Sequence, residues 1–179
     1  MAFQDTAGYV AGTAITWTGS GGTFAINTAS LAAGSAVQGA KSATLVQVPP
    51  GGSTAVLPDF LQFKLSAKPT STPVAKDEIS LCLGFSDSAT AGTDNPGGLT
   101  GTSTTGPNAD VLPQLVLAGA LVLSNTLGAV IQTAYLAKVP PLDICVCPVV
   151  YNGQATIAMS ATANDTTVTM TPYYRERQT

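Results

Sequence analysis

The chain has 179 residues, of which only 9% carry a formal charge and none is histidine, for a net charge of −3; an ordinary soluble domain is about a quarter charged. General acid–base work, metal ligation and phosphate binding all draw on the residue types that are scarce here, so the composition argues against an enzyme and against any cofactor. The acidic balance also lacks the basic footprint of a nucleic-acid binder or of a protein lying on anionic lipid, so neither nucleic acid nor membrane is an expected partner.

The start, Met1-Ala2-Phe3-Gln4-Asp5, has no basic segment leading into an apolar one, so no secretory signal is read and the chain is expected to be made in a cytoplasm. No charge occurs between Thr6 and Ala40. Within that stretch, residues 14–17 and 23–27 flank Gly19-Ser20-Gly21-Gly22 and read as a hairpin. Residues 29–43 read as a loop because Gly34 and Gly39 oppose a helix, and residues 43–48 read as a weak strand ending at Pro49-Pro50-Gly51-Gly52. Residues 1–50 are therefore expected to form an N-terminal arm or hairpin segment, packed on the domain or on a neighbour, and residues 51–179 a β-sandwich domain.

Leu61, Phe63 and Leu65 alternate with polar residues, as do Ile79, Leu81, Leu83 and Phe85 with Ser80, Cys82 and Gly84, which predicts two strands each with one face for a core. Pro69 and Pro73 place the connection at a sheet margin. Residues 86–107 are dense in Ser, Thr, Gly and Asp and predict an exposed loop suited to reaching a neighbouring subunit. The apolar run 115–123 is far short of the about 20 residues a membrane helix needs, and reads as a core strand. Residues 142–151 and 154–161 flank Asn152-Gly153, the dipeptide best suited to a type I′ turn. A second turn at Asn164-Asp165 leads into Thr167 to Pro172, so three antiparallel strands are expected in a C-terminal meander. Pro148 marks the first of them as an edge or a bulge. The fold class is all-β: an antiparallel β-sandwich or jelly-roll-like barrel with this meander and an extended N-terminal arm.

Most chemical motifs fail on inspection. Gly34 to Lys41 outlines a phosphate loop, but Ala40 stands where the lysine belongs. Ser42 beside Lys41 is a poor nucleophile pair, since neighbours on a strand point to opposite faces. Asp87, Ser88, Asp94 and Asn95 offer oxygen ligands for calcium, without the spacing of a calcium hand. Cys82, Cys145 and Cys147 fall short of a zinc set and read as buried thiols. Asn164-Asp165-Thr166 reads as a turn. What is left is a set of candidate interface residues: Trp17, Phe24, Tyr173, Tyr174, Arg175 and Arg177, since aromatic and arginine side chains carry much of the energy of protein contacts. For Trp17 core packing is the equal alternative.

Three blocks carry a resemblance. They are Thr23-Phe24-Ala25-Ile26-Asn27 with Ser30-Leu31-Ala32 and Gly39-Ala40-Lys41; Ile79 to Ser86 leading into the Gly/Thr-rich loop; and Val139-Pro140-Pro141 through Tyr151-Asn152-Gly153 to Pro172-Tyr173-Tyr174 with its short charged tail. Together they resemble the small virion structural proteins of tailed bacteriophages, most closely the head decoration, or cement, proteins. The resemblance implies a β-sandwich that attaches to the major capsid protein on the outside of an assembled shell. It further implies association with copies of itself as a trimer, and no catalysis. The alternatives are a tail tube or fibre component, a shell-forming capsid protein, or a carbohydrate-binding β-sandwich with Trp17, Tyr173 and Tyr174 stacking on sugar rings.

Overall fold

In the computed structural model residues 8–19, 24–94, 104–105, 109–154 and 156–175 are described. Eleven named strands run in chain order: β1 (Tyr9–Ala11), β2 (Ile15–Thr18), β3 (Phe24–Ala25), β4 (Ala36–Gln38), β5 (Phe60–Ala67), β6 (Glu78–Ser86), β7 (Thr104–Thr105), β8 (Val116–Val122), β9 (Gln132–Val139), β10 (Cys145–Asn152) and β11 (Thr167–Arg175). A short 3-10 helix, Ala109–Gln114, precedes β8. The strands form two sheets. The first has the order β3-β2-β11-β5-β9, with β1 also on β11; the second has the order β7-β4-β10-β6-β8. All pairings are antiparallel except β2 with β3.

The all-β sandwich expected from the sequence is the observed architecture, and period-2 alternation builds it. In β11, Val168, Met170 and Tyr174 point inward with Leu61, Phe63 and Leu65 of β5. Opposite them stand Ile79, Leu81, Leu83 and Phe85 of β6 and Val146 and Val150 of β10, so the two inner faces share one apolar cluster that includes Trp17. Strand β6 is buried on its other face too, where Cys82 joins Ala36, Cys147 and Val149 beneath Leu112 and Leu115. The expectation of one buried face per strand is therefore corrected for β6. Its small outward residues accept a cover that a bulkier face would exclude.

The C-terminal meander does not form. Strands β10 and β11 lie in different sheets, and among the described residues between them the one isolated bridge is Pro69 with Met159. The predicted turn fails because neither Asn152 nor Gly153 has the positive φ that a type I′ turn demands. Asn152 is instead fully buried: its Nδ2 donates to the carbonyls of Leu31 and Ile157, both at 3.0 Å, and its Oδ1 accepts the Gln154 N–H. The chain then crosses between the sheets, held by Met159 N–H to the Leu31 carbonyl and Ser160 N–H to the Lys68 carbonyl.

Further expectations change. Strands β2 and β3 pair in parallel, so the glycine-rich segment between them closes no hairpin. The weak strand at 43–48 is reduced to one bridge, Gln47 with Val56, while the segment read as a loop contributes β4. The run read as a core strand does supply core residues, Ala118, Leu121 and Leu123, and its strand β8 lies at the edge of the second sheet. Pro148 marks neither edge nor bulge: β10 is central and pairs with β6 over eight residues without a register shift. The proline is accommodated because β4 ends beside it. Gly39 N–H donates to the Pro148 carbonyl at 2.7 Å, and the Gly39 carbonyl, offered no N–H by proline, accepts Gln38 Nε2 at 3.1 Å. A Cβ on Gly39 would lie 2.9 Å from Pro148 Cγ and 3.0 Å from Trp17 Cδ1, so only glycine lets the chain pass there.

The described residues before 50 contribute strands to both sheets. Strands β1 and β2 extend one side of β11 and β4 extends β10, and Trp17, Ile26, Leu31 and Val37 are core residues.

Candidate functional site

The six candidate interface residues do not form one surface. Trp17 is fully enclosed, its Nε1 donating to the Ala40 carbonyl at 2.7 Å and its ring tilted against half-buried Phe24. It offers no surface to a partner. Tyr173 and Tyr174, adjacent on β11, point to opposite sides of the sheet, as the strand repeat requires. Tyr174 faces inward at 3% exposure, and burial pushes its phenol above the ordinary range. Its hydroxyl has no hydrogen-bond partner among the described residues. Tyr173 faces outward and stacks on Phe60 at 4.9 Å between centroids, while Tyr9 meets the same ring edge-on and Lys138 Nζ lies 4.4 Å from its centre. Arg175 is exposed, and its main-chain N–H donates to Asp59 Oδ2 at 2.7 Å. Arg177 lies outside the described residues.

Next to this rim a cavity of about 670 Å³ opens between the Pro49–Thr54 turn and Tyr174, with Val10, Leu57 and Asp59 on its walls. With Trp17 and Tyr174 turned inward and Tyr173 covered by Phe60, the three rings proposed to stack on sugars make no common platform.

Sequence reasoning missed the role of Lys41. Its ammonium is buried and is met by four oxygens: Ser86 Oγ at 2.9 Å and the carbonyls of Ser88 at 2.7 Å, Thr90 at 2.9 Å and Thr93 at 2.8 Å. The start of the loop expected at 86–107 is thus wrapped around a lysine, and residues 104–105 form β7 on the sheet edge. Ser42, the nucleophile candidate beside it, is committed to β10: its Oγ accepts the Val146 N–H at 3.0 Å. The calcium candidates Asp87, Ser88 and Asp94 sit on the same loop, whose carbonyls converge on the ammonium. Asn95 lies outside the described residues. No three His, Cys, Asp or Glu side chains gather as a metal-ligand set among the described residues.

The three thiols are buried and unpaired. Burial raises all of them, and Cys147 is pushed up to about 11 despite the opposing charge of Lys41. A thiol held neutral is a poor nucleophile and a poor metal ligand.

The most distinctive surface is the sheet margin formed by β8, β9 and the turn between them. No charged residue occurs from Val111 to Ala137. Of the large apolar side chains that are exposed, Leu117, Val122, Leu127, Val130, Ile131 and Tyr135 all belong to this stretch, with Leu117 and Val122 at 63% and Tyr135 at 76%. Leu117 and Val122 lie on the outer face of the second sheet, with Glu78 opposite Val122, and Tyr135 lies on the outer face of the first, opposite Lys64; exposed apolar residues scattered singly are ordinary, and here they line both faces of one margin. No described helix is long and apolar enough to cross a membrane.

Comparisons with family models, with curated proteins and with solved structures found no match.

Proposed function

We propose that this chain is a non-enzymatic structural protein of a tailed-phage virion that binds the outside of the assembled capsid in many copies and stabilises it. The observation that carries this reading is the apolar margin at β8 and β9, where the stretch from Val111 to Ala137 has no charge and exposes six large apolar side chains, a surface suited to area burial. Such a protein works through shape and shared contact. Each copy adds a few kcal/mol of net contact energy, since burial is largely offset by the cost of association, and the copies act together on the shell. Its partners under this reading are the major capsid protein and sister copies.

The test compares purified capsids with and without the bound protein. The decorated particles are expected to melt higher and to carry the chain through a density gradient; equal melting temperatures, or a chain left at the top of the gradient, refute the reading. Electron microscopy of the protein alone separates the tail-tube, fibre and shell-forming alternatives, which would appear as rings, filaments or closed shells.

A further inference from the structure

We infer that residues 86–93 form a binding site for a primary ammonium group, and that Lys41 of the same chain is its resident ligand. The inference stands apart from the capsid reading.

The four oxygens around Lys41 Nζ are one hydroxyl, from Ser86, and three main-chain carbonyls, from Ser88, Thr90 and Thr93. They are held in place by one another. Ser86 Oγ accepts the Ser88 N–H at 3.2 Å and directs its own hydrogen toward the carbonyls of Ser88 and Thr93, both at 3.2 Å. Thr90 N–H donates to Ser88 Oγ at 3.2 Å, and Thr93 N–H to the Thr90 carbonyl at 3.3 Å. Ser86 is itself fixed as the last residue of β6, opposite Cys145 of β10. None of these bonds uses the lysine, so the cage has a shape of its own.

The ligand is delivered from an equally firm base. On one side of Lys41, Ala40 N–H donates to the Ala25 carbonyl at 2.8 Å and the Ala40 carbonyl accepts Trp17 Nε1. On the other, Ser42 N–H donates to the Val146 carbonyl at 2.9 Å and Ser42 Oγ accepts the Val146 N–H. With the main chain tied at both neighbours, closing the cage costs only the side-chain entropy of one lysine.

The donor set selects ammonium over a metal ion. Calcium takes about six to eight oxygens at about 2.3–2.6 Å, carboxylates prominent among them, and magnesium sits closer still. Here four neutral oxygens lie at 2.7–2.9 Å, the spacing of a charge-assisted N–H···O bond. A primary ammonium has three donors and no acceptor, which such a cage satisfies in full. Asp87 and Asp94, the calcium candidates of this loop, supply none of the four oxygens. The loop is thus ordered by an internal cation in the role that a bound metal fills elsewhere.

The test removes the lysine and returns its head as a free molecule. Lys41→Ala deletes the ammonium with its last three methylenes, which n-propylammonium replaces. Amide exchange of residues 86–94 and thermal unfolding are followed in n-propylammonium, ammonium, tetramethylammonium or sodium chloride, each at about 0.2 M, enough to fill a millimolar site. In sodium the Lys41→Ala loop is expected to exchange at least about tenfold faster than wild type. n-Propylammonium should restore most of that protection and ammonium part of it, whereas tetramethylammonium, with the charge but no N–H, should match sodium. Lys41→Met refills the stem and carries a methyl to the cage, so its loop should stay open in all four salts. The wild-type loop should exchange alike in all four and ignore calcium and chelators. Equal exchange of Lys41→Ala in every salt overturns the inference, as does a Lys41→Ala chain that stays unfolded in all of them. Rescue of Lys41→Met, or a wild-type loop that responds to calcium, overturns it too. A rescued chain whose wild type never binds capsids would overturn the proposed function and leave this inference standing.

Discussion

Replacing Lys41 by methionine isolates the energetic role of a buried ammonium. The side chain is 6% exposed and offers three N–H donors to four oxygens between 2.7 and 2.9 Å. Hydrogen bonds to a charged group contribute about 1.5–3 kcal/mol each, so three give roughly 4–9 kcal/mol. Two terms reduce the net loss. Methionine has no charge to desolvate, and the Thr90 and Thr93 carbonyls belong to exposed residues, where water can replace the lysine. We expect Lys41→Met to cost about 3 kcal/mol, within the range for breaking a buried polar network. In urea the midpoint should fall without a large change in slope, and the melting temperature should drop by about 6–12 °C for a chain of this size. Amide exchange supplies the local readout: residues 86–94 should lose protection more than β5 or β11. A cost below about 1 kcal/mol, with loop protection unchanged, would show that the four contacts hold nothing together.

Gly39→Ala places a methyl against Pro148 and Trp17, both in the core, and should cost about 1–3 kcal/mol by overpacking, with a shift in Trp17 fluorescence; unchanged emission and stability would contradict the close approach. Tyr174→Phe removes a hydroxyl enclosed without a partner and should be neutral or stabilising by up to about 1 kcal/mol in thermal unfolding. A clear loss there would mean that the hydroxyl is bonded. Asn152→Ala should cost about 2–4 kcal/mol in urea, because it orphans the Leu31 and Ile157 carbonyls and the Gln154 N–H. The thiols carry a pH signature. Each is raised in the folded state, so its contribution to stability is fully present below the unfolded value near 8.5 and is lost as pH rises through the folded value, about 11 for Cys147. Stability should therefore fall between about pH 9 and 11, and a thiol reagent at pH 8 should label three cysteines per chain in denaturant and none in the native state.

Much of the sandwich was legible because β5 and β11 alternate between core and outward residues, and in β6 large core residues alternate with small ones even though both of its faces are buried. What stayed hidden has identifiable causes. Strand β9 is interrupted by a bulge that breaks the period at Leu136 and Ala137, and β4 shows no alternation because all three of its residues are buried. The Asn152-Gly153 signal was strong in composition but overridden by long-range bonds to Leu31. Among the interface candidates, reading Tyr173-Tyr174 as one feature ignored the strand repeat that separates them, and Trp17 followed its core alternative. Lys41 was considered as a catalytic neighbour, yet its carbonyl partners lie about fifty positions downstream, where no spacing rule reaches. The apolar margin was present in composition from Val111 to Ala137 but became a surface only when both edge strands fell on one side.

Strand β11 sits inside the first sheet, flanked by β5 on one side and by β1 and β2 on the other, so that Thr16 and Thr169 meet across 153 positions of chain. Strands β5 and β9 can pair with each other, as can β2 and β3, but β1 and β2 join β5 only through β11. Closing of this sheet therefore depends on contacts of long sequence separation and should be slow. Until then β2 and β5 wait with unsatisfied flanks, an interval in which a chaperone, or a premature encounter between nascent chains, decides the yield.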